Sequence, residues 1–153
     1  MVVSRLGKIK ITVGYLDIGR DERDAINRVL DSGRISEGQK VREFEKRWAS
    51  YIGTKYCVAV SSGTAALITA LNALKLVYKL TERLEVITSP VTYISDANAI
   101  VLSGFKPVFV DIDPVNFCIT PEAIEAYLKK NSSRLKCCIV LPIDLMGYPV
   151  AID

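Results

Sequence analysis

Tyr56-Cys57-Val58-Ala59-Val60-Ser61-Ser62-Gly63-Thr64-Ala65-Ala66-Leu67 joins an apolar run to a helical pattern through a turn of small and hydroxylated residues. The run at 56–60 predicts a buried strand. Ala65, Ala66, Leu67, Ala70, Leu71 and Leu74 then recur at the spacing of one helical face, which predicts a helix over about 64–78. A strand that ends in the first turn of a helix aims unpaired backbone N–H groups, with the positive helix end behind them, at any anion lying there. Gly63 lets the chain turn sharply, and the hydroxyls of Ser61, Ser62 and Thr64 add donors. The plainer alternative is that Ser62 or Thr64 caps the helix with no ligand present. The turn has neither the Lys of a nucleotide P-loop nor the three spaced glycines of a dinucleotide fingerprint.

Outward from this turn, strand-like and helical segments alternate as in βα units. Residues 18–32 read as an amphipathic helix stopped at Gly33, followed by the loop Gly33-Arg34-Ile35-Ser36-Glu37-Gly38. Val41, Phe44, Trp48, Tyr51 and Ile52 share a helical face, with Gly53 where a left-handed cap belongs. Residues 85–88 predict a second strand, and Ser89-Pro90 reads as the entry to a helix running through 93–103 to a stop at Gly104. Residues 106–111 predict a third strand. Thr120-Pro121-Glu122 opens a helix to about residue 130, and 135–141 predict a fourth strand. Strands this apolar are buried on both faces, so the expected fold class is α/β: a mostly parallel sheet with flanking helices.

Composition bounds the function. With 153 residues the chain fits one domain, and 20 Lys and Arg against 17 Asp and Glu leave an excess of only +3, too small and dispersed to argue for nucleic acid or an anionic membrane. Residues 1–15 carry Arg5, Lys8 and Lys10 without the apolar middle of a secretory signal. No apolar run reaches the ~18 residues of a membrane helix, so the expected location is cytoplasmic. Cys57, Cys118, Cys137 and Cys138 have no Cys-x-x-Cys spacing and read as core thiols. The absence of histidine removes Ser-His and Cys-His nucleophile pairs and most zinc sites for this chain acting alone, and no metal is expected.

Three stretches carry a resemblance to a known family: "LDSGRISEGQKVREFEKRWASYIGTKYCVAVSSGTAALITAL", "VITSPVTYISDANAIVLSGFKPVFVDIDPVNFCITPEAIEA" and "IVLPIDLMGYPVAID". In order and spacing the chain, from about residue 10 to 153, resembles the DegT/StrS-type nucleotide-sugar aminotransferases of the fold type I group, which depend on pyridoxal 5'-phosphate (PLP). The resemblance implies the N-terminal part of that group's large domain. It also implies amino transfer from glutamate to a keto sugar nucleotide, in amino-sugar and polysaccharide biosynthesis. Gly63 and Thr64 match the positions that hold the PLP phosphate, and Tyr93 matches an aromatic residue that stacks on the cofactor ring; a Tyr packed at a helix entry is the alternative. The loop 33–38 resembles a segment near the active site at a dimer interface, and it reads equally as a surface loop.

The family's PLP-bonding Lys and its Asp for the pyridine nitrogen have no match in this chain, and Lys75, Lys79, Lys106, Lys129 and Lys130 read as solvated. Residues 1–153 are therefore expected to be a partial large domain, inactive alone. They are expected to work as a homo-oligomer or with a separately encoded second half; a non-catalytic binding or assembly protein is the alternative. Asp144 stands where the family commonly has His, and Glu82-Arg83-Leu84 replaces its usual Gly-Asp turn.

Overall fold

The computed structural model describes residues 2–3, 9–10, 14, 16–135 and 137–151. It divides into two compact units, 1–59 and 60–153. In the first, β1 (Val2–Val3) and β2 (Ile9–Lys10) pair antiparallel, Val2 opposite Lys10. Helix α1 (Arg20–Asp31) starts two residues later than its hydrophobic pattern predicts, because Glu22 reaches back to the Gly19 N–H at 2.8 Å and fixes the first turn there. Helix α2 (Gln39–Ile52) ends as predicted at Gly53, whose φ of 83° is the left-handed cap.

The predicted strand at 56–60 does not form. No pairing reaches it among the described residues; Thr54 Oγ1 donates to the Tyr56 carbonyl, and the Ala59 N–H donates to Glu45 Oε1 at 2.8 Å. Tyr56 and Val58 are exposed whereas Cys57 and Ala59 are half-buried. Apolar content favours a strand, but a strand exists only where a neighbour satisfies its N–H and C=O groups.

In the second unit, α3 (Gly63–Val77) leads into a parallel sheet of order β4–β3–β5, made by β3 (Glu85–Thr88), β4 (Lys106–Phe109) and β5 (Cys138–Leu141). Glu85 registers with Lys106 on one side and Cys138 on the other. Central strand β3 is buried throughout, as continuous apolar strands of parallel sheets are. Val86 faces one core, with Leu71 of α3 and Ala99 and Ile100 of α4 (Ile94–Leu102). Ile87 faces the other, with Val110, Cys118, Ile119 and Val150, against which Ile124 and Leu128 of α5 (Pro121–Asn131) pack. The layering is helix, sheet, helix. It follows from crossovers that run in opposite directions across the sheet, from β3 out to β4 and from β4 back past β3 to β5, and so put α4 and α5 on opposite faces.

Further boundaries differ from the pattern, and β4 ends at Phe109 rather than at 111. Ser89-Pro90 does not start α4: the Ser89 hydroxyl folds onto Val91, accepting from its N–H at 3.1 Å, and Tyr93 takes the N-cap position. Strand β5 begins at Cys138 rather than 135, since Arg134 and Leu135 both donate their N–H to Asn131 O in the turn closing α5. Cys118 is buried as read and Cys57 and Cys138 are half-buried, but Cys137 is exposed, and all four are free thiols. Among the described residues, no helix is long and apolar enough to cross a membrane.

Candidate anion and cofactor site

Helix α4 runs antiparallel to the strands it connects, and α3, which enters β3 through a short turn, must run the same way as α4. Bonds at their far ends agree: Asn72 Nδ2 donates to Ser103 Oγ at 3.2 Å, and Lys75 Nζ donates to Ser103 O at 3.3 Å. Asn72 lies nine residues beyond Gly63, and Ser103 nine beyond Ile94, so the two helices start level. Both N-termini therefore open at the carboxyl edge of the sheet. That edge is where open α/β folds bind ligands.

The capping reading of the Ser62 turn is realised. Ser62 is the N-cap, its Oγ accepting the Ala65 N–H at 3.1 Å, while its carbonyl accepts the Ala66 N–H at 2.9 Å. That leaves the Gly63 and Thr64 N–H groups with no acceptor among the described residues. Ser62 and Gly63 are exposed and Thr64 is half-buried, so these donors reach solvent and have not been packed away. No acidic side chain occupies the first turn of α3, which leaves its positive end uncompensated. A phosphate fits this arrangement: two convergent amides, a hydroxyl on Thr64 and a helix N-terminus.

Tyr93 is 76% exposed at the start of α4, so it does not serve the core. Its position was legible from sequence; what holds the turn before it was not. Asp96, in the first turn of α4, is buried and accepts a hydrogen bond from the Thr92 hydroxyl. The signal was present as a Thr four residues ahead of an Asp at a helix start. Thr88 closes the same edge, donating from Oγ1 to Leu141 O at 2.9 Å. Asp144, in place of the expected His, accepts the Val150 N–H at 2.9 Å and ties down the loop after β5.

The lysines differ from expectation in one respect. Lys75 is half-buried and engaged, bonding Ser103 O and lying 5.7 Å from the Phe105 ring centroid, whereas Lys106 is exposed as read while its Nζ lies 3.1 Å from Glu85 Oε1. Both stand at the amino edge of the sheet, opposite Gly63 and Tyr93. Lys129 pairs with Glu125 on the exposed side of α5.

The amino edge carries the one strongly perturbed carboxylate of the described residues. Glu85 is buried, and Arg134 Nη1 donates to its Oε1 at 2.7 Å while Tyr127 Oη donates to its Oε2 at 2.6 Å. Arg134, then Tyr127, outweigh burial and hold the carboxyl down at about 2, with Lys106 assisting. The Tyr127 hydroxyl is pushed up by burial and by Glu85. This cluster braces β3 against α5.

The sequence profile of the DegT/DnrJ/EryC1/StrS aminotransferase family matches residues 16–153. The chain belongs to that family. As a member of the DegT/DnrJ/EryC1/StrS family it is 45% identical over 136 residues to the spore coat polysaccharide biosynthesis protein SpsC of Bacillus subtilis (strain 168), covering 89% of this chain and 33% of SpsC. An aminotransferase from Psychrobacter cryohalolentis matches its structure with a TM-score of 0.74 at 33% identity, over 90% of this chain and 33% of the other. GDP-4-keto-6-deoxymannose-3-dehydratase with a trapped PLP–glutamate geminal diamine matches with a TM-score of 0.76 at 26% identity, over 92% of this chain and 36% of the other. The chain spans about a third of the length of the relatives it matches.

Proposed function

We propose that residues 1–153 form part of the large domain of a PLP-dependent aminotransferase acting in the cytoplasm on a nucleotide-linked keto sugar, with glutamate as amino donor, in polysaccharide or related amino-sugar synthesis. The observation that carries this is the pair of unpaired amides at Gly63 and Thr64, open at the same sheet edge as the exposed ring of Tyr93. Membership of the family and the likeness to SpsC support the reaction class.

Within this reading, Gly63 and Thr64 N–H groups and the Thr64 hydroxyl hold the cofactor phosphate. Ser62 occupies the Ala65 N–H itself, which leaves the Gly63 and Thr64 N–H groups to the ligand. The Tyr93 ring packs on the cofactor ring, and the bond between Thr92 and Asp96 keeps the α4 entry rigid beneath it. When bound, PLP supplies an electron-accepting ring on which an amino group passes between donor and keto acceptor. Helix-end attraction of about 0.3–1 kcal/mol gives only modest affinity without further contacts.

No lysine of the second unit with a described contact lies at the carboxyl edge, so the 153-residue chain, tested as it stands, binds the phosphate without transferring amino groups. It works as a homo-oligomer or with a second polypeptide. Borohydride reduction after incubation with PLP, followed by peptide mapping, tests this. The expected result is no stoichiometric lysine label and no amino transfer from glutamate; one fully labelled lysine with measurable transfer would contradict it.

A further inference from the structure

Helix α2 leaves one face outside the first unit. Ala49 is buried, Val41 and Glu45 are half-buried, and Glu45 accepts the Ala59 N–H, so that side of the helix serves its own unit. On the other side Phe44, Trp48 and Tyr51 are 51%, 48% and 82% exposed, although each ring packs on the next with centroids 5.9 and 5.8 Å apart. With Lys40, Glu43 and Arg47 they line an open groove of about 400 Å³. Spacings of three and four residues keep all six on one side of the helix. Glu43 accepts from Lys40 Nζ at 2.8 Å on one oxygen and from Gln39 Nε2 at 3.0 Å on the other, and each oxygen has room for a second donor. Arg47 has no ion pair among the described residues.

The order of these residues is self-complementary. Glu43 and Arg47 carry opposite charges one turn apart on one flank of the face, Phe44 and Trp48 stand one turn apart on the other, and Lys40 and Tyr51 mark its two ends. A second α2 laid antiparallel, with the two-fold axis passing near residues 45 and 46, sets Glu43 against Arg47 of the other copy twice, Phe44 against Trp48 twice, and Lys40 over the Tyr51 ring twice. A parallel copy brings the charged flank of one helix to the aromatic flank of the other and leaves Glu43 and Arg47 unmatched. We propose that this face of α2 is an interface between two copies of the chain, joined antiparallel. Charge complementarity selects the second copy and its direction, while the rings supply the attraction, since exposed ion pairs contribute little. Full cover of a large aromatic side chain removes about 150–250 Å² from water, so at these exposures the three rings lose roughly 300–400 Å² per copy. That is about half of the ~800 Å² that a stable interface buries on each partner, so the pairing is reversible and concentration-dependent. The proposal rests on the homo-oligomer reading above and gives it a surface.

Trp48 is the single tryptophan of the chain, so its emission reports on this face alone. Sedimentation equilibrium of the full chain across the micromolar range, with Trp48 fluorescence read on the same samples, tests the proposal. The expected result is a monomer–dimer equilibrium in which Trp48 emission moves to shorter wavelength as the mass doubles. Glu43→Arg alone and Arg47→Glu alone each bring like charges together and are expected to weaken self-association by roughly tenfold. Mixed in equal amounts, the two variants match again and are expected to associate at least as strongly as the unsubstituted chain. If either variant does not fold, the double exchange Glu43→Arg with Arg47→Glu, which restores the pattern in reverse, is expected to dimerise. Single variants that weaken association with no recovery on mixing would overturn the antiparallel pairing. Association that none of these variants changes, with Trp48 emission unmoved, would overturn the α2 interface and leave the homo-oligomer reading to another surface; a monomer at every concentration would overturn both.

Discussion

Glu85 sits at the first residue of the central strand and is bonded by Arg134, Tyr127 and Lys106. Its carboxyl is held at about 2, down from 4.5. A carboxylate with a lowered folded value stabilises the protein fully above its unfolded value, and that contribution fades as pH falls from about 4.5 to 2. The size is about 2–3 kcal/mol, given a shift of this order on a buried group with partly exposed partners. Glu85→Gln should destabilise the chain at pH 7 and flatten its stability between about pH 4.5 and 2; urea unfolding at several pH values measures both. An unchanged pH dependence would show that the Glu85 cluster does not couple α5 to the sheet. Nothing in the sequence announced this cluster, because Arg134 is 49 residues from Glu85 and only the β4 crossover brings them together.

At the scale of the element, the N-terminus of α3 combines a cap and a free donor pair, so the two can be separated by substitution. Ser62→Ala removes the acceptor for the Ala65 N–H and should cost about 1 kcal/mol of stability. Thr64→Val should leave stability nearly unchanged and weaken PLP binding. Thermal unfolding and PLP titration of the two variants distinguish them, and equal losses of stability would contradict the division of roles. The capping half of this site was legible in Ser62-Gly63-Thr64, and so were α3, α5 with its Thr120 cap, and the 85–88 strand. The failures were of two kinds. The 56–60 segment has the composition of a strand, but pairing is a property of its neighbours and not of its own residues. Ser89-Pro90 has the composition of a helix start, but the Ser89 hydroxyl is consumed locally by Val91, as short serine turns compete with helix caps.

Over the whole chain, apolar side chains remain uncovered within each unit. Phe44, Trp48 and Tyr51 form an exposed aromatic row on α2, and Leu76, Val77, Val101 and Leu102 are exposed on α3 and α4. The outer edges of β4 and β5 have no strand neighbour among the described residues. Open parallel edges and apolar faces favour association, and burial of apolar surface returns about 25 cal/mol per Å². Light scattering of the 153-residue chain at micromolar concentration should therefore report a mass above the monomer. A sharp monomer mass with cooperative unfolding would mean that the chain tolerates these faces in water.

The central claim is that the start of α3 holds a phosphate group of the cofactor. Amide resonances of the ¹⁵N-labelled chain, followed while PLP or its phosphate-free counterpart pyridoxal is added, test it at the two donors themselves. The account predicts that the Gly63 and Thr64 amides shift saturably with PLP, hardly move with pyridoxal, and respond more weakly to PLP in Thr64→Val. Gly63 and Thr64 amides that stay still while PLP binds elsewhere on the chain would contradict it.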